Sequence, residues 1–284
     1  YCAIPSIRGR MRSVPIEELV REAQSMAQEG DRQFRELVVI AQDTANYGLD
    51  IYGRKALPEL LERLAALPQY RWIRVMYMHP DHFDPAWLTL WQEHPKLLPY
   101  YEIPVQHSEE HILKAMNRKR KGDELVDMLD TILREVPGAV LRTTLISGFP
   151  GETRWDALAL RKFIGRVPFL HLGVFLYSPE EGTPAAGMPA QVSPATAQRR
   201  ANKLLQAQQR LARELLEAYV GRTVDVLIEE RSDEGDDVYL GRAWFQAPEI
   251  DGVTIVNGKG IQPGEIRPVL ITDVIDADLF GEVI

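Results

Sequence analysis

The sequence holds one cysteine, Cys2, in 284 residues. An internal disulfide is therefore excluded, and so is any metal site built only from this chain's own thiolates. No stretch approaches the roughly 20 consecutive apolar residues that a bilayer-crossing helix needs, and no signal-peptide pattern opens the chain. No G-x-G-x-x-G follows a predicted strand, which removes the usual dinucleotide fingerprint. Apolar residues make up 45% and charged residues 26%, so neither a disordered chain nor a fibrous repeat fits. The first residue is Tyr1 rather than Met, and further natural sequence is expected upstream of it.

What is present is an acidic excess placed unevenly. The net charge is −8, and Gly221 to Ile284 holds 14 acidic against 5 basic residues, a balance of −9. The 220 residues before it carry 28 basic and 27 acidic groups. Such a step in charge marks a separate module and suits a basic partner; an acidic surface kept for solubility is the plainer alternative.

Through the first three quarters, helical and strand patterns alternate. Pro15 to Gln28 spaces Ile16, Leu19, Val20 and Ala23 as an amphipathic helix. Strands are predicted at Glu36–Ala41, Arg71–Tyr77, Leu98–Val105, Ala139–Ile146 and Phe169–Tyr177, with helices at Lys55–Leu67, Pro85–Glu93, Glu109–Met116, Gly122–Val136 and Thr153–Arg166. Strands separated by helices imply right-handed βαβ units and a parallel sheet. A long helix opens at Ser193-Pro194, with Leu204, Leu211 and Leu215, flanked by Leu205, Ala212 and Leu216, as its expected buried stripe and Gly221 as its stop. Five short β runs follow, as expected of a small antiparallel OB-like barrel. The expected division is residues 1–220 and 221–284.

In parallel α/β folds ligands bind at the C-terminal ends of the strands. Those ends carry Gln42-Asp43, His79-Pro-Asp81, Gln106-His107 and Ser147-Gly-Phe-Pro-Gly-Glu152. The candidate ligand contacts are Gln42, Asp43, Gln106, Arg142 and the backbone at Gly148. A guanidinium fork at Arg142 matches a carboxylate, although a strand-edge charge is also consistent. The two glycines around Pro150 let backbone approach a ligand closely, but a tight turn needs the same residues; Thr153 is placed to cap the next helix.

Other constellations have bland readings beside them. His107-Ser-Glu-Glu-His111 matches a zinc-hydrolase pattern literally, yet Pro104 directly upstream puts His107 in a loop and no third ligand stands out. Asn117-Arg-Lys-Arg-Lys121 is either a solvated surface or a contact to nucleic-acid phosphate. Arg8, Arg10 and Arg12 are close enough to Cys2 to act at a site or simply to be solvated. Met76, Met78 and Met116 read as core filling.

Tyr1-Cys-Ala-Ile-Pro-Ser-Ile-Arg-Gly9 resembles the end of the C-x-x-x-C-x-x-C loop of radical S-adenosylmethionine (SAM) enzymes, and more narrowly that of the methylthiotransferases. Ala41-Gln-Asp-Thr44 with Tyr47-Gly48, Pro104-Val-Gln-His107, Met116-Asn-Arg118, Gly148-Phe-Pro-Gly-Glu-Thr153 and Tyr177-Ser-Pro-Glu-Glu-Gly-Thr183 are similar to that family in the same order. The C-terminal module resembles its TRAM domain. Gly241-Arg242, Ala247-Pro-Glu-Ile-Asp-Gly252 and Asp276-Ala-Asp-Leu-Phe-Gly281 are similar to the ribosomal-protein-modifying branch.

The resemblance implies an α/β fold: a partial (β/α) TIM-like radical SAM barrel, its first strand missing, followed by the five-stranded TRAM barrel. It implies a transferase that places a methylthio group on the β-carbon of an aspartate in the twelfth protein of the small ribosomal subunit. The cofactors implied are SAM and two 4Fe-4S clusters per full-length protein. Cys2 would be the third ligand of the first cluster, with the other two upstream of Tyr1. This chain is therefore expected to complete neither cluster and to be inactive by itself. A basic ribosomal protein is the implied partner of the acidic module, which would repel tRNA phosphates. A monomer in the cytoplasm, without membrane association, is expected. A tRNA methylthiotransferase of the same family is the second reading, and a zinc hydrolase or non-catalytic scaffold the third.

Overall fold

The structure is a computed structural model that describes residues 3–27, 34–233 and 235–284. Cys2, the expected cluster ligand, lies outside the described residues. After a short helix α1 (Ile4–Arg8), which no pattern foretold, come α2 (Ile16–Met26) and β1 (Glu36–Val39). Then follow α3 (Leu49–Tyr52), α4 (Leu57–Ala65), β2 (Trp72–Val75), α5 (Leu88–Glu93), β3 (Tyr100–Glu102), α6 (Glu110–Ala115) and α7 (Gly122–Glu135). The first unit closes with β4 (Val140–Ser147), α8 (Arg154–Arg166), β5 (Phe169–Leu176) and α9 (Pro194–Glu217). The second unit is β6 (Thr223–Arg231), β7 (Val238–Ala243), β8 (Thr254–Asn257), β9 (Ile266–Ile275) and β10 (Asp278–Val283).

β1 pairs with β2, and β3 with β4 with β5, all in parallel. Between β2 and β3 the ladder narrows to a bridge at Ile73 and Leu97 and to the Met78 amide donating to the Glu102 carbonyl at 3.2 Å. The result is the expected partial barrel of five strands with helices outside. Leu57, Leu60, Leu61 and Leu64 of α4 are all buried, the i, i+3, i+4, i+7 stripe of a helix facing a core. They belong to one core with Ile73, Val75, Tyr101, Ile103, Leu141 and Leu145 from the outward face of the strands.

The inward face differs from expectation. Continuous apolar strands are usual in a sheet covered on both sides, but here the alternate positions Glu36, Arg74, Glu102, Arg142 and His171 are ionisable, and Arg74 and Glu102 are buried. α9 also departs from its expected stripe. Ala197, Ala201, Leu204, Gln208 and Leu216 are buried, whereas Leu211 and Leu215 are only half-buried. Small residues let α9 approach β5 closely, and Gln208 Nε2 donates to the Phe169 carbonyl at 2.6 Å. Ser193 makes no cap to the helix backbone; its hydroxyl donates to Thr196 Oγ1 instead.

The second unit is a closed barrel of strand order β10-β8-β7-β6-β9. One pair, β8 with β10, is parallel, which corrects the fully antiparallel expectation. The other four pairs are antiparallel, and a ring of five strands that alternate in direction must close on one parallel pair. A second core joins the two units: Trp72, Tyr100, Val140 and Leu170 at the starts of β2 to β5, with Met76 just past β2, cluster with Leu216, Val226, Phe245, Ala247 and Val256. The C-terminal barrel thus plugs the base of the first. No helix among the described residues is long and apolar enough to cross a membrane.

Candidate functional site at the strand ends

The inner face of the partial barrel changes character from base to mouth, and the contacts of each residue follow from its level. At the base lies a buried network of charges. Glu36 takes Arg74 Nε at 2.7 Å through one oxygen and Arg242 Nη2 at 2.6 Å through the other. Arg242 also reaches Glu229 at 2.7 Å and the Gln246 carbonyl at 3.0 Å. Arg74 donates to the Trp244 carbonyl at 2.9 Å and stacks its guanidinium 4.4 Å from the centre of the Tyr100 ring. Asp251 collects Arg142 Nη1 at 2.6 Å, the Tyr100 hydroxyl at 2.7 Å and the Ala247 amide at 2.8 Å. His171 Nδ1 lies 3.3 Å from the same carboxylate, and its Nε2 is 2.7 Å from the Phe245 carbonyl. Burial pushes the His171 pKa down against the pull of Asp251, and burial raises that of Tyr100.

Arg142 therefore needs correction as a ligand contact. It is the third residue of β4, near the strand's start, and its guanidinium pairs with the C-terminal barrel. A strand read from its apolar pattern does not say which end a polar residue occupies when the partner is 109 positions away.

The other candidates gather at the opposite end. Gln42 is exposed past the end of β1. Asp43 caps a 3-10 turn at Thr44–Asn46 by accepting from the Ala45 amide at 3.1 Å, accepts from the His79 amide at 3.3 Å, and meets His82 Nδ1 at 2.5 Å. Thr44 Oγ1 donates to the Met76 carbonyl, tying the ends of β1 and β2 together. Gln106 sits past β3 with φ of 70°, its amide on the Thr144 carbonyl at 2.8 Å. Tyr77, past β2, has φ of 59° and donates its amide to Glu102 Oε2 at 2.6 Å. Burial raises the Glu102 pKa, against that amide and Arg142. Non-glycine residues in this left-handed region cost about 1–3 kcal/mol each, and such residues cluster where a site is held. Gly148, past β4, gives its amide to Glu152 Oε2 at 2.6 Å, and Glu152 Oε1 in turn takes Arg200 at 2.7 Å. Above the charged base the inner face presents Thr144 and Gly173, then the exposed side chains of Ile40 and Phe175. A concave wall with an apolar rim and a few polar groups is the usual shape of a small-molecule site.

The remaining motifs resolve into structure. His107 is fully buried, accepts the Glu109 amide on Nδ1 and has no partner on Nε2 among the described residues, while His111 is exposed and faces Asp156 at 3.4 Å. The two imidazoles serve different neighbours, and no group of three His, Cys, Asp or Glu among the described residues is disposed to hold a metal ion. The described residues thus supply no ligand set for an iron-sulfur cluster. The basic run is a clasp. The Lys119 and Arg120 amides donate to Asp81, Arg118 donates to the Pro104 carbonyl and Arg120 to that of Pro80. Thr153 caps α8 in a reciprocal capping box with Asp156.

Burial holds His107 and His79 down to about 4; beside His79 the Arg118 charge adds to the effect. Both lie below the ordinary imidazole value, so the unfolded chain binds more protons than the folded one on the acid side of pH 6.5. Their contribution is complete above about pH 6.5 and declines toward pH 4, by up to about 1.4 kcal/mol per pH unit for each imidazole. Urea titrations from pH 7 to pH 5 should show the midpoint falling, and His107→Asn should remove one imidazole's share of that slope. An unaltered slope in the variant would sink this assignment.

Residues 1–164 match the Radical SAM superfamily and residues 220–284 the TRAM domain. The chain belongs to the radical SAM superfamily. It is 41% identical over 284 residues to the "Ribosomal protein uS12 methylthiotransferase RimO" of Thermotoga maritima and 44% identical over 284 residues to that of Crocosphaera subtropica. Each alignment covers the whole of this chain and 64% of the relative. Among solved structures, coproporphyrinogen III oxidase (HemN) from Escherichia coli aligns with a TM-score of 0.45 at 15% identity, over 66% of this chain and 49% of that one.

Sequence reasoning missed Glu36, Arg74, Glu102, Arg242 and Asp251 as a set. The signal was present in part: Arg74 and Glu102 interrupt apolar runs, and a charge inside a buried strand requires a partner.

Proposed function

We propose that this chain is the barrel and TRAM portion of a radical SAM methylthiotransferase that acts on ribosomal protein uS12, adding its methylthio group at the β-carbon of an aspartate. The observation that carries the reading is the unbroken likeness to curated enzymes of that activity along all of the chain. The open inner face, polar below and apolar at its rim, supports a site for SAM bordered by Gln42, Asp43, Gln106 and Gly148. Arg142 is left out of that set because Asp251 holds it. A cluster with bound SAM would supply the one-electron chemistry needed at an unactivated carbon, and Cys2 would furnish one of its thiolate ligands. The residues of this chain would position substrate and cofactor and exclude water.

The TRAM barrel, from residue 221 onward, would receive the basic ribosomal protein. Asp225, Glu230, Asp233, Asp273, Asp276 and Glu282 are exposed on it, and a field of that sign steers a cationic partner while repelling tRNA. The protein would act as a monomer in the cytoplasm. The intact mass of uS12 from cells with and without the full-length protein tests the reading. The expected result is one methylthio group in place of one hydrogen, lost on deletion; modified tRNA nucleosides with unmodified uS12 would favour the tRNA branch.

The 284-residue chain alone has one thiolate, too few for a cluster held by three. Iron analysis and EPR of the reconstituted chain should therefore find no stoichiometric 4Fe-4S signal, and finding one would refute the proposed ligand set.

A further inference from the structure

α8 and α9 lie side by side outside the barrel, and the groove between them carries charge of one sign. Arg154 and Arg161 form one wall and Arg199, Arg200 and Lys203 the other, around a cleft of about 650 Å³. The groove continues past Gly165 to Arg210. Within α8 the one acid is Asp156, which is committed to the helix cap and is buried; residues 194–213 of α9 contain none. Arg200 is paired with buried Glu152. Among the described residues no carboxylate pairs with Arg154, Arg161, Arg199, Lys203 or Arg210. On α9, Arg199, Lys203 and Arg210 are spread along about 16 Å of axis at 1.5 Å per residue, a length of several nucleotides.

A row of unneutralised like charges repels itself and attracts a polyanion. What distinguishes the polyanion here is Trp155. Its side chain is 63% exposed in the same groove, with the Arg154 guanidinium 4.4 Å from the ring centre. A large exposed aromatic between cations is the platform on which unpaired bases stack, while the cations follow the phosphates. An acidic peptide would use the charges and leave the ring idle. A membrane would meet the cations poorly, since they line a concavity.

We propose that the α8/α9 groove binds RNA, with phosphates on Arg161, Arg199, Lys203 and Arg210 and an unpaired base on Trp155. This goes beyond the methylthiotransferase reading and does not depend on it: the groove lies on the outer helical layer, and none of its proposed contacts is among the residues that border the SAM site. The division of charge in the molecule then has two functions, an acidic barrel for protein and a basic groove for nucleic acid.

The test is a titration of the full-length protein into a labelled RNA hairpin with a single-stranded loop, repeated across a salt series. Removing three cations as Arg161→Ala, Lys203→Ala and Arg210→Ala together should weaken binding at least about tenfold and flatten the log K against log salt slope by about 2. Trp155→Ala should weaken it about fivefold or more with the slope unchanged. All four side chains are exposed, and thermal melts of the variants verify that the fold is retained. RNA affinity that is absent in the wild-type protein or unaltered in the triple variant would overturn the proposal. So would equal affinity for a poly-glutamate peptide or for phosphatidylglycerol vesicles, lost in the same variants. Because binding is read without turnover, the outcome is separable from the uS12 mass measurement.

Discussion

Replacing Asp251 by alanine should destabilise the chain by about 3–5 kcal/mol, the range for removing one member of a buried ion pair. The carboxylate is almost fully buried and is shared by Arg142, Tyr100 and the Ala247 amide, with His171 beside it. Removing it leaves a guanidinium, a hydroxyl and an amide facing each other without an acceptor at the junction of the two units. Each of those groups had given up water to be there. Denaturant titration followed by far-UV CD and by tryptophan fluorescence reads the effect. In the wild-type chain the two signals should fall together, and in the variant the C-terminal barrel should release first, splitting the transition. A paired replacement, Arg142→Met with Asp251→Leu, should recover only the part due to the stranded guanidinium, because the Tyr100 hydroxyl and the Ala247 amide stay without an acceptor. Stability unchanged in Asp251→Ala would mean that the network contributes nothing, and the account of the plugged base would fail.

The second large effect is expected at Gly148. Its φ is 83°, and a Cβ there would stand 2.4 Å from Ala197 Cβ on α9. Gly148→Ala meets two penalties. The left-handed conformation costs an L-residue about 1–2 kcal/mol, and forcing a methyl into a filled space costs about 1–3 kcal/mol more. Room can be made only by displacing α9, which also takes the Ser147 hydroxyl bond to the Ala197 carbonyl, 2.9 Å long. Pairing Gly148→Ala with Ala197→Gly should restore the space and leave the conformational penalty, so recovery of about half the loss is expected. A double variant no better than the single one would show that close packing against α9 is not why glycine stands there.

The helices and strands of the barrel were legible because their signals are local. Leu57, Leu60, Leu61 and Leu64 announce α4, and Thr153 with Asp156 announces the start of α8. The order of the strand-end loops was legible as well, since βαβ units fix which end each loop takes. Arg142 was misplaced because its partner arrives from the other unit; nothing within several residues of it marks Asp251. The same holds for Glu36, whose second arginine is 206 positions on. The short helix α1 has too few residues to show a period. The parallel pairing of β8 with β10 follows from closing five alternating strands into a ring, and strand patterns carry neither closure nor direction. The basic groove was invisible for a related reason: its cations are spread over two helices and gather only when α8 and α9 pack.

The base of the barrel also bears on how the chain is made. Arg74 is emitted early in synthesis, but the Trp244 carbonyl that receives it lies 170 residues later. Until the last quarter has emerged, Arg74 has Glu36 but not the Trp244 carbonyl, and Arg142 and the Tyr100 hydroxyl lack Asp251, so the lower rim of the barrel must stay wet and open. The two units are therefore poor candidates for exchange between relatives as cassettes. A hybrid would inherit half of a charge circuit, and it would need Glu36, Arg242 and Asp251 matched across the seam before either half could close.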